Sequence, residues 1–173
     1  MHLPMGSIVY EEDASEDRSV SQLPIGEGAR IANPALQSLA FLLGSWSTAG
    51  AHPAFPDEKL PGMTSFTWGE GGAFLVMRSQ MDHKDFPDGI AIFASDNVLG
   101  TITMCWFDER GISRLCPAAS GQGWISWRHD DPAFMQRTMI IADESGRRLT
   151  SKGEMARDGG PWGPDLSQTF IRM

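Results

Sequence analysis

Turn signals recur through this chain at intervals of roughly ten residues, and no other feature of the sequence restricts its fold as much. The separators are rich in Gly, Asp and Pro, and they read GEGG, FPDG, DNVLG, DERG, SGQG, DDPA, DESG and DGGPWGP. The stretches between them have the length and composition of strands. The candidate strands are 45–52, 63–69, 73–82, 89–95, 100–107, 112–117, 123–129, 134–142, 148–157 and 166–172.

About ten strands joined by tight turns predict an all-β fold, an up-and-down antiparallel barrel. Closure of the barrel would remove the exposed edges that an open sheet of this size presents. A two-layer sandwich is the structural alternative. The 173 residues suit a single domain with one core.

One short helix is predicted before the first strand. In NPALQSLAFLLG, Asn33 is a suitable N-cap, Pro34 occupies the first helical position and Gly44 follows the last apolar residue. The apolar face at helical spacing consists of Leu36, Leu39, Leu42 and Leu43. Residues 1–33 carry six acidic and two basic residues without hydrophobic periodicity. We therefore expect a mobile acidic segment at 1–33 and a barrel domain at 34–173.

The alternation within the strands is mixed, which indicates a cavity rather than a solid core. In FLVMRSQM one face carries Phe74, Arg78 and Gln80, and the other carries Met77 and Met81. A small, tightly packed barrel should have one apolar and one polar face. Mixed faces indicate an interior that holds polar groups and water beside apolar side chains.

The candidates for ligand contacts are the polar residues of apolar strands together with the strand methionines and tryptophans. Solvated arginines on the outer face, and methionines in an ordinary core, are the alternatives. Arg78 is the preferred interior arginine because it shares a face with Phe74 and Val76, and a buried guanidinium needs an internal partner such as Glu154 or an acidic ligand. Flexible thioethers and indoles suit an adaptable apolar pocket. The predicted ligand-binding residues are Arg78, Phe74, Gln80, Met77, Met104, Trp106, Trp124, Trp127, Gln136 and Met139.

Charge and composition exclude several classes of function. The net charge is −8, which disfavours nucleic-acid binding and attraction to anionic membranes. No apolar run approaches the roughly 20 residues of a membrane span, and the N-terminus lacks the pattern of an export signal, so we expect a cytoplasmic protein. Cys105 and Cys116 could face each other across a hairpin, but two reduced cysteines are expected in that compartment.

Five segments in order resemble the uncharacterised bacterial lipocalin-like proteins of the calycin superfamily, relatives of the fatty-acid-binding-protein and nitrobindin barrels. The segments are LLGSWSTAG, SFTWGEGGAFLVMRSQMDH, DGIAIFASDN, TMCWFDERGISRL and MARDGGPWGPDLSQTFIRM, and the resemblance covers residues 35–173. It implies a ten-stranded barrel with a central apolar cavity. It also implies that Trp46 closes one end, stacked against Arg172.

The resemblance also bears on haem, because nitrobindin-like barrels hold iron through a histidine at the start of the last strand. That stretch reads PDLSQTFIRM here, with Asp165 or Leu166 at the histidine position. We therefore expect no haem and no other cofactor.

Metal binding and nucleophilic catalysis have little support. The Asp82–His83 and His129–Asp130–Asp131 groups lie at strand ends, where neighbouring side chains point to opposite faces and cannot readily chelate one ion. GEGGAF joins two strands and opens no helix, so it predicts a hairpin rather than a phosphate site.

Three hypotheses for function follow. The first is binding of a small hydrophobic molecule with an acidic or carbonyl group near Arg78. The second is a cofactor-independent isomerase or cyclase acting on a polyene or polyketide-like substrate in the same cavity, with residues 1–33 as a lid. The third is an interaction scaffold that forms a homodimer through exposed tryptophans.

Overall fold

Residues 33–173 are described by a computed structural model, and they form a closed antiparallel barrel in which every strand pairs with its sequence neighbours and the first pairs with the last. The barrel prediction is confirmed. The lid assigned to residues 1–33 concerns a segment whose first 32 residues lie outside the described part. The strands are β1 (Gly44–His52), β2 (Phe55–Gly69), β3 (Phe74–Met81), β4 (Gly89–Asp96), β5 (Thr101–Asp108), β6 (Ser113–Gly121), β7 (Trp124–Asp131), β8 (Phe134–Ala142), β9 (Arg148–Arg157) and β10 (Gly163–Arg172).

The predicted strand bounds fail mainly where proline interrupts the pattern. Strand β2 begins at Phe55 rather than at residue 63, and it contains Pro56 and Pro61. Proline cannot donate to a ladder and is tolerated in strands near edges and bulges. The β1·β2 register shifts between Gly50 and His52, where one residue of β1 stands opposite residues 56–59 of β2.

A 3₁₀ helix, Pro34–Leu42, covers one end of the barrel. The Asn33 side chain accepts a hydrogen bond from the Ala35 backbone N–H at 3.1 Å, which confirms the predicted N-cap. Leu36, Leu39 and Leu42 are fully buried against the strands. Their spacing of three residues matches the 3.0 residues per turn of a 3₁₀ helix, so one side of the helix meets the barrel.

Trp46 fills the interior beneath this helix, as the resemblance implied. Its indole N–H donates to the Leu42 carbonyl at 2.7 Å, and the side chain is fully buried. The Arg172 guanidinium lies 4.2 Å from the indole centroid and donates to the carbonyls of Leu43 and Phe41 at 2.7 and 3.2 Å. Helix, first strand and last strand therefore meet at one point.

The two cysteines do not face each other. In the β5·β6 pairing Met104 is opposite Cys116, and Cys105 is opposite Leu115. Neighbouring strand residues point to opposite faces, so Cys116 is directed inward and Cys105 outward. Both are free thiols.

Among residues 33–173 there is no helix with the length and apolar character needed to cross a membrane.

Candidate binding cavity

The barrel interior contains a cavity of about 670 Å³. Met77, Met104, Trp127, Ile140 and Phe170 contribute apolar side chains to its wall. The cavity reaches the end of the barrel opposite the helix, and this open end is called the mouth below. Its size lies within the roughly 300–1,000 Å³ of ligand pockets.

Half of the predicted ligand-binding residues line this cavity: Met77, Met104, Trp106, Trp127 and Gln136. They come from strands β3, β5, β7 and β8. Their contact with a ligand stays a prediction.

The other half lies on the outer wall, and the expectation of an interior Arg78 is wrong. Leu75 and Met77 of β3 point inward and are buried, so the alternation of the strand turns Phe74, Arg78 and Gln80 outward. Arg78 and Gln80 line a separate surface groove of about 500 Å³. The sequence did not reveal which face of β3 points inward, because apolar side chains occur on both faces.

The outward positions of Trp124 and Met139 follow from the same alternation. Ile125 and Trp127 of β7 face the interior, which leaves Trp124 outside, where its indole lies against Gly121. In β8 the interior residues include Gln136, Thr138 and Ile140, and Met139 is 41% exposed. The proposed internal partner Glu154 also lies elsewhere, because it accepts a hydrogen bond from Arg137 Nε at 2.8 Å.

A chain of hydrogen bonds at the mouth, called the mouth chain below, was not predicted from the sequence. Arg114 Nη1 donates to Gln136 Oε1 at 3.2 Å, and Gln136 Nε2 donates to Asp165 Oδ2 at 2.6 Å. His52 Nε2 lies 3.1 Å from Asp165 Oδ1, and the Ala54 backbone N–H donates to His52 Nδ1 at 3.1 Å. The chain joins β6, β8, β10 and β1 across the mouth. The inward-facing Cys116, two residues after Arg114 in the same strand, places Arg114 on the inner face.

The mouth chain has a defined proton arrangement. Since His52 Nδ1 accepts from a backbone N–H, the proton of the neutral ring is on Nε2, which donates to Asp165. The Asp165 carboxylate is 7% exposed and accepts from two side chains. Both ring nitrogens of His52 are engaged, so its role is to orient Asp165 and to tie β1 to β10.

Phe134 lies between two arginines at the mouth. The Arg114 guanidinium carbon is 4.9 Å from the ring centroid, and that of Arg157 is 5.2 Å away. Both arginines line the cavity, and within residues 33–173 neither has a carboxylate within 4.0 Å. Among the charged residues that line the cavity, Arg110, Arg114 and Arg157 outnumber Asp85 and Asp165, although the whole chain is acidic.

The cavity wall contains one thiol. Burial raises the pKa of Cys116, although the nearby Arg114 charge opposes this shift. A protonated, buried thiol is a weak nucleophile. No group of three potential metal-ligating side chains occurs in the described part of the chain.

No family model matches this chain, and no curated protein matches it. Solved structures with the same fold include the following two. Rv2717c from M. tuberculosis superposes with a TM-score of 0.60 at 20% identity, over 83% of this chain and 99% of that chain. A protein with unknown function of the DUF3598 family from Nostoc punctiforme superposes with a TM-score of 0.54 at 10% identity, over 82% of this chain and 51% of that chain. At these identities the likeness concerns the barrel alone.

Proposed function

We propose that this protein is a lipocalin-like barrel of the calycin type that binds a small hydrophobic molecule in its cavity, with an acidic or carbonyl group of the ligand at the mouth. The observation that carries the proposal is the position of Arg114. Its guanidinium is half-buried in the wall of a largely apolar cavity and has no carboxylate partner within the described residues.

Two physical terms favour such a ligand. Apolar surface that leaves water for the methionine- and tryptophan-lined interior contributes about 25 cal/mol per Å². A guanidinium has five N–H donors, and the described contacts of Arg114 use one, on Gln136. A carboxylate would accept from the remaining donors in a charge-assisted pair, and a carbonyl would accept less strongly.

The isomerase or cyclase hypothesis is less favoured by this arrangement. Acid–base catalysis needs a side chain that can take a proton from the substrate. In the mouth chain both nitrogens of His52 are already hydrogen-bonded. Both carboxylate oxygens of Asp165 are likewise engaged, one by Gln136 and the other by His52.

The test is a fluorescence titration of the full-length protein with 8-anilinonaphthalene-1-sulfonate, an apolar anion. Arg78→Ala is the matched control, because it removes an arginine from the outer wall of the same barrel. Arg114→Ala should weaken binding about 10- to 100-fold, since a charge-assisted hydrogen bond is worth about 1.5–3 kcal/mol. Arg78→Ala should bind as the wild type does.

Displacement of the bound probe by decanoate and by decanol completes the test. The wild type should prefer the carboxylate, and Arg114→Ala should lose that preference. Equal affinity of wild type and Arg114→Ala for decanoate would refute the role of Arg114. A wild-type protein that binds neither the probe nor either competitor, and whose native mass spectrum shows no retained small molecule, would refute the proposed function.

A further inference from the structure

Two segments approach each other at the mouth through a cluster of aromatic rings. His52 and Phe55 flank the β1–β2 turn, and the β3–β4 loop (residues 82–88) carries His83 and Phe86. The ring centroids of Phe55 and His83 are 4.9 Å apart, and those of Phe55 and Phe86 are 5.6 Å apart. His52 and His83 each lie 5.3 Å from Phe86. These residues are called the four-ring cluster.

The four-ring cluster borders the cavity. His52, Phe55 and Phe86 line its wall, and Asp85 and Pro87 of the same loop line it as well. The loop therefore lies over part of the mouth. His83 is different, because it contacts the rings of Phe55 and Phe86 without lining the cavity.

Side chains alone join the two segments. Within the described chain, no backbone hydrogen bond links residues 83–87 to residues 52–58, and the Phe86 N–H donates to His83 within the loop. The one polar link is between His83 Nε2 and Glu58 Oε2 at 3.1 Å, and Glu58 is 56% exposed. Ring contacts and one exposed polar pair can separate without loss of any strand pairing.

The base of the loop is fixed more firmly. The Asp82 N–H donates to the Pro61 carbonyl at 2.9 Å, and the Met81 N–H donates to Asp88 Oδ1 at 3.2 Å. At the other end the Asp88 N–H donates to Glu109 Oε1 at 3.3 Å, and the Glu109 N–H donates to the Asp88 carbonyl at 3.1 Å. The two ends of the loop are hydrogen-bonded, whereas residues 83–87 are held by ring contacts and one exposed polar pair. Such a segment can move away from the β1–β2 turn as a unit.

We propose that the four-ring cluster is the gate through which the ligand of the cavity enters and leaves, and that its separation controls the exchange rate. The proposal rests on the proposed function, because a gate needs a ligand. Arg114 lies on the cavity wall and is not a member of the cluster, so in this proposal Arg114 sets affinity whereas the separation of the rings sets access. Affinity and exchange rate are therefore controlled by different residues.

His83→Ala is the decisive variant, since it removes a ring from the cluster without removing a residue of the cavity wall. Stopped-flow mixing of the full-length protein with 8-anilinonaphthalene-1-sulfonate should show association and dissociation rate constants that both rise about fivefold, with a dissociation constant changed by less than about twofold. Phe107→Ala, which removes a half-exposed ring from the outer wall, is the matched control and should leave both rates unchanged.

The outcomes separate the two proposals. Unchanged rates in His83→Ala would overturn the gate while leaving the binding function intact. A faster dissociation with an unchanged association rate would also overturn it, because that pattern describes a lost contact and not an opened path. A wild type that fails the binding and mass-spectrometric test described above would remove the function and the gate together. If His83→Ala does not fold, Phe86→Ala supplies a second opening variant; because Phe86 also lines the cavity, only its association rate constant is compared with that of the wild type, and an unchanged value would overturn the gate.

Discussion

At the scale of single residues, three arginines of this barrel have different roles because their neighbours differ. Arg172 donates to three backbone carbonyls and stacks on Trp46, so it is structural. Arg78 is exposed on the outer wall. Arg114 is half-buried in the cavity wall, donates to Gln136 and is the candidate for ligand binding. The residue type alone predicts none of these roles.

Asp108 is a residue whose environment makes stability depend on pH. The hydrogen bond from Arg110, at 2.7 Å, lowers the pKa of Asp108 to about 2, with a further contribution from the Trp106 indole N–H, whereas burial opposes the shift. A depressed pKa in the folded state stabilises the protein above the unfolded-state value near 4, and this contribution is lost as the pH falls from about 4 to about 2.

Asp108→Asn should therefore lower the free energy of unfolding by about 1–2 kcal/mol at pH 7, and the difference from wild type should shrink towards pH 2. Urea unfolding followed by tryptophan fluorescence at several pH values measures this. Glu144→Gln is the control, since Glu144 is exposed and makes no side-chain hydrogen bond within the described residues. A difference independent of pH would contradict the assignment.

At the scale of elements, the 3₁₀ helix and the bulge of β10 decide what the barrel can hold. The helix seals one end with Leu36, Leu39 and Leu42. In the β9·β10 pair the register shifts between Pro164 and Ser167, and both Asp165 and Leu166 line the cavity there. A regular strand would turn one of these two side chains outward. The bulge thus places a carboxylate inside an otherwise apolar wall.

Truncation of a buried leucine in the 3₁₀ helix should destabilise the folded barrel. Leu39→Ala leaves a cavity among fully buried side chains and should lower the free energy of unfolding by about 2–5 kcal/mol. Gln37→Ala changes an exposed position of the same helix and should change stability by less than about 0.5 kcal/mol. Chemical denaturation of the two variants side by side measures this. Equal stability would mean that the helix is not required to close the barrel.

At the scale of the whole molecule, closure depends on contacts between the two ends of the described chain. β1 and β10 pair over six positions, from Trp46 with Arg172 to Ala51 with Ser167. His52 and Asp165 continue the seam to the mouth. Since these strands are distant in sequence, their pairing carries a large loop-closure entropy. The contacts of Arg172 help to offset it.

Arg172→Ala should lower the free energy of unfolding by about 2–4 kcal/mol, because it removes charge-assisted hydrogen bonds and the stacking on Trp46. Arg148→Ala, an exposed arginine of the neighbouring strand, is the control and should be nearly neutral. Differential scanning calorimetry provides the comparison. If both variants melt at the wild-type temperature, Arg172 does not stabilise the seam.

Homodimerisation through exposed tryptophans also belongs to this scale and stays a prediction. Trp162 is 38% exposed and lies under the Arg137 guanidinium, 4.4 Å from the guanidinium carbon.

The sequence by itself determined the ten strands and the capped helix, because turn residues, caps and apolar spacing act over a few residues and leave a local pattern. The Trp46–Arg172 closure was implied by the family resemblance and not by a local pattern. Only the tertiary structure decided which face of each strand is interior. Both faces of β3 carry apolar side chains, so alternation alone could not distinguish Met77 from Arg78. The direction of twist and closure depends on all ten strands at once, and it placed Arg114, Gln136, Asp165 and His52 together at the mouth although they lie far apart in the chain.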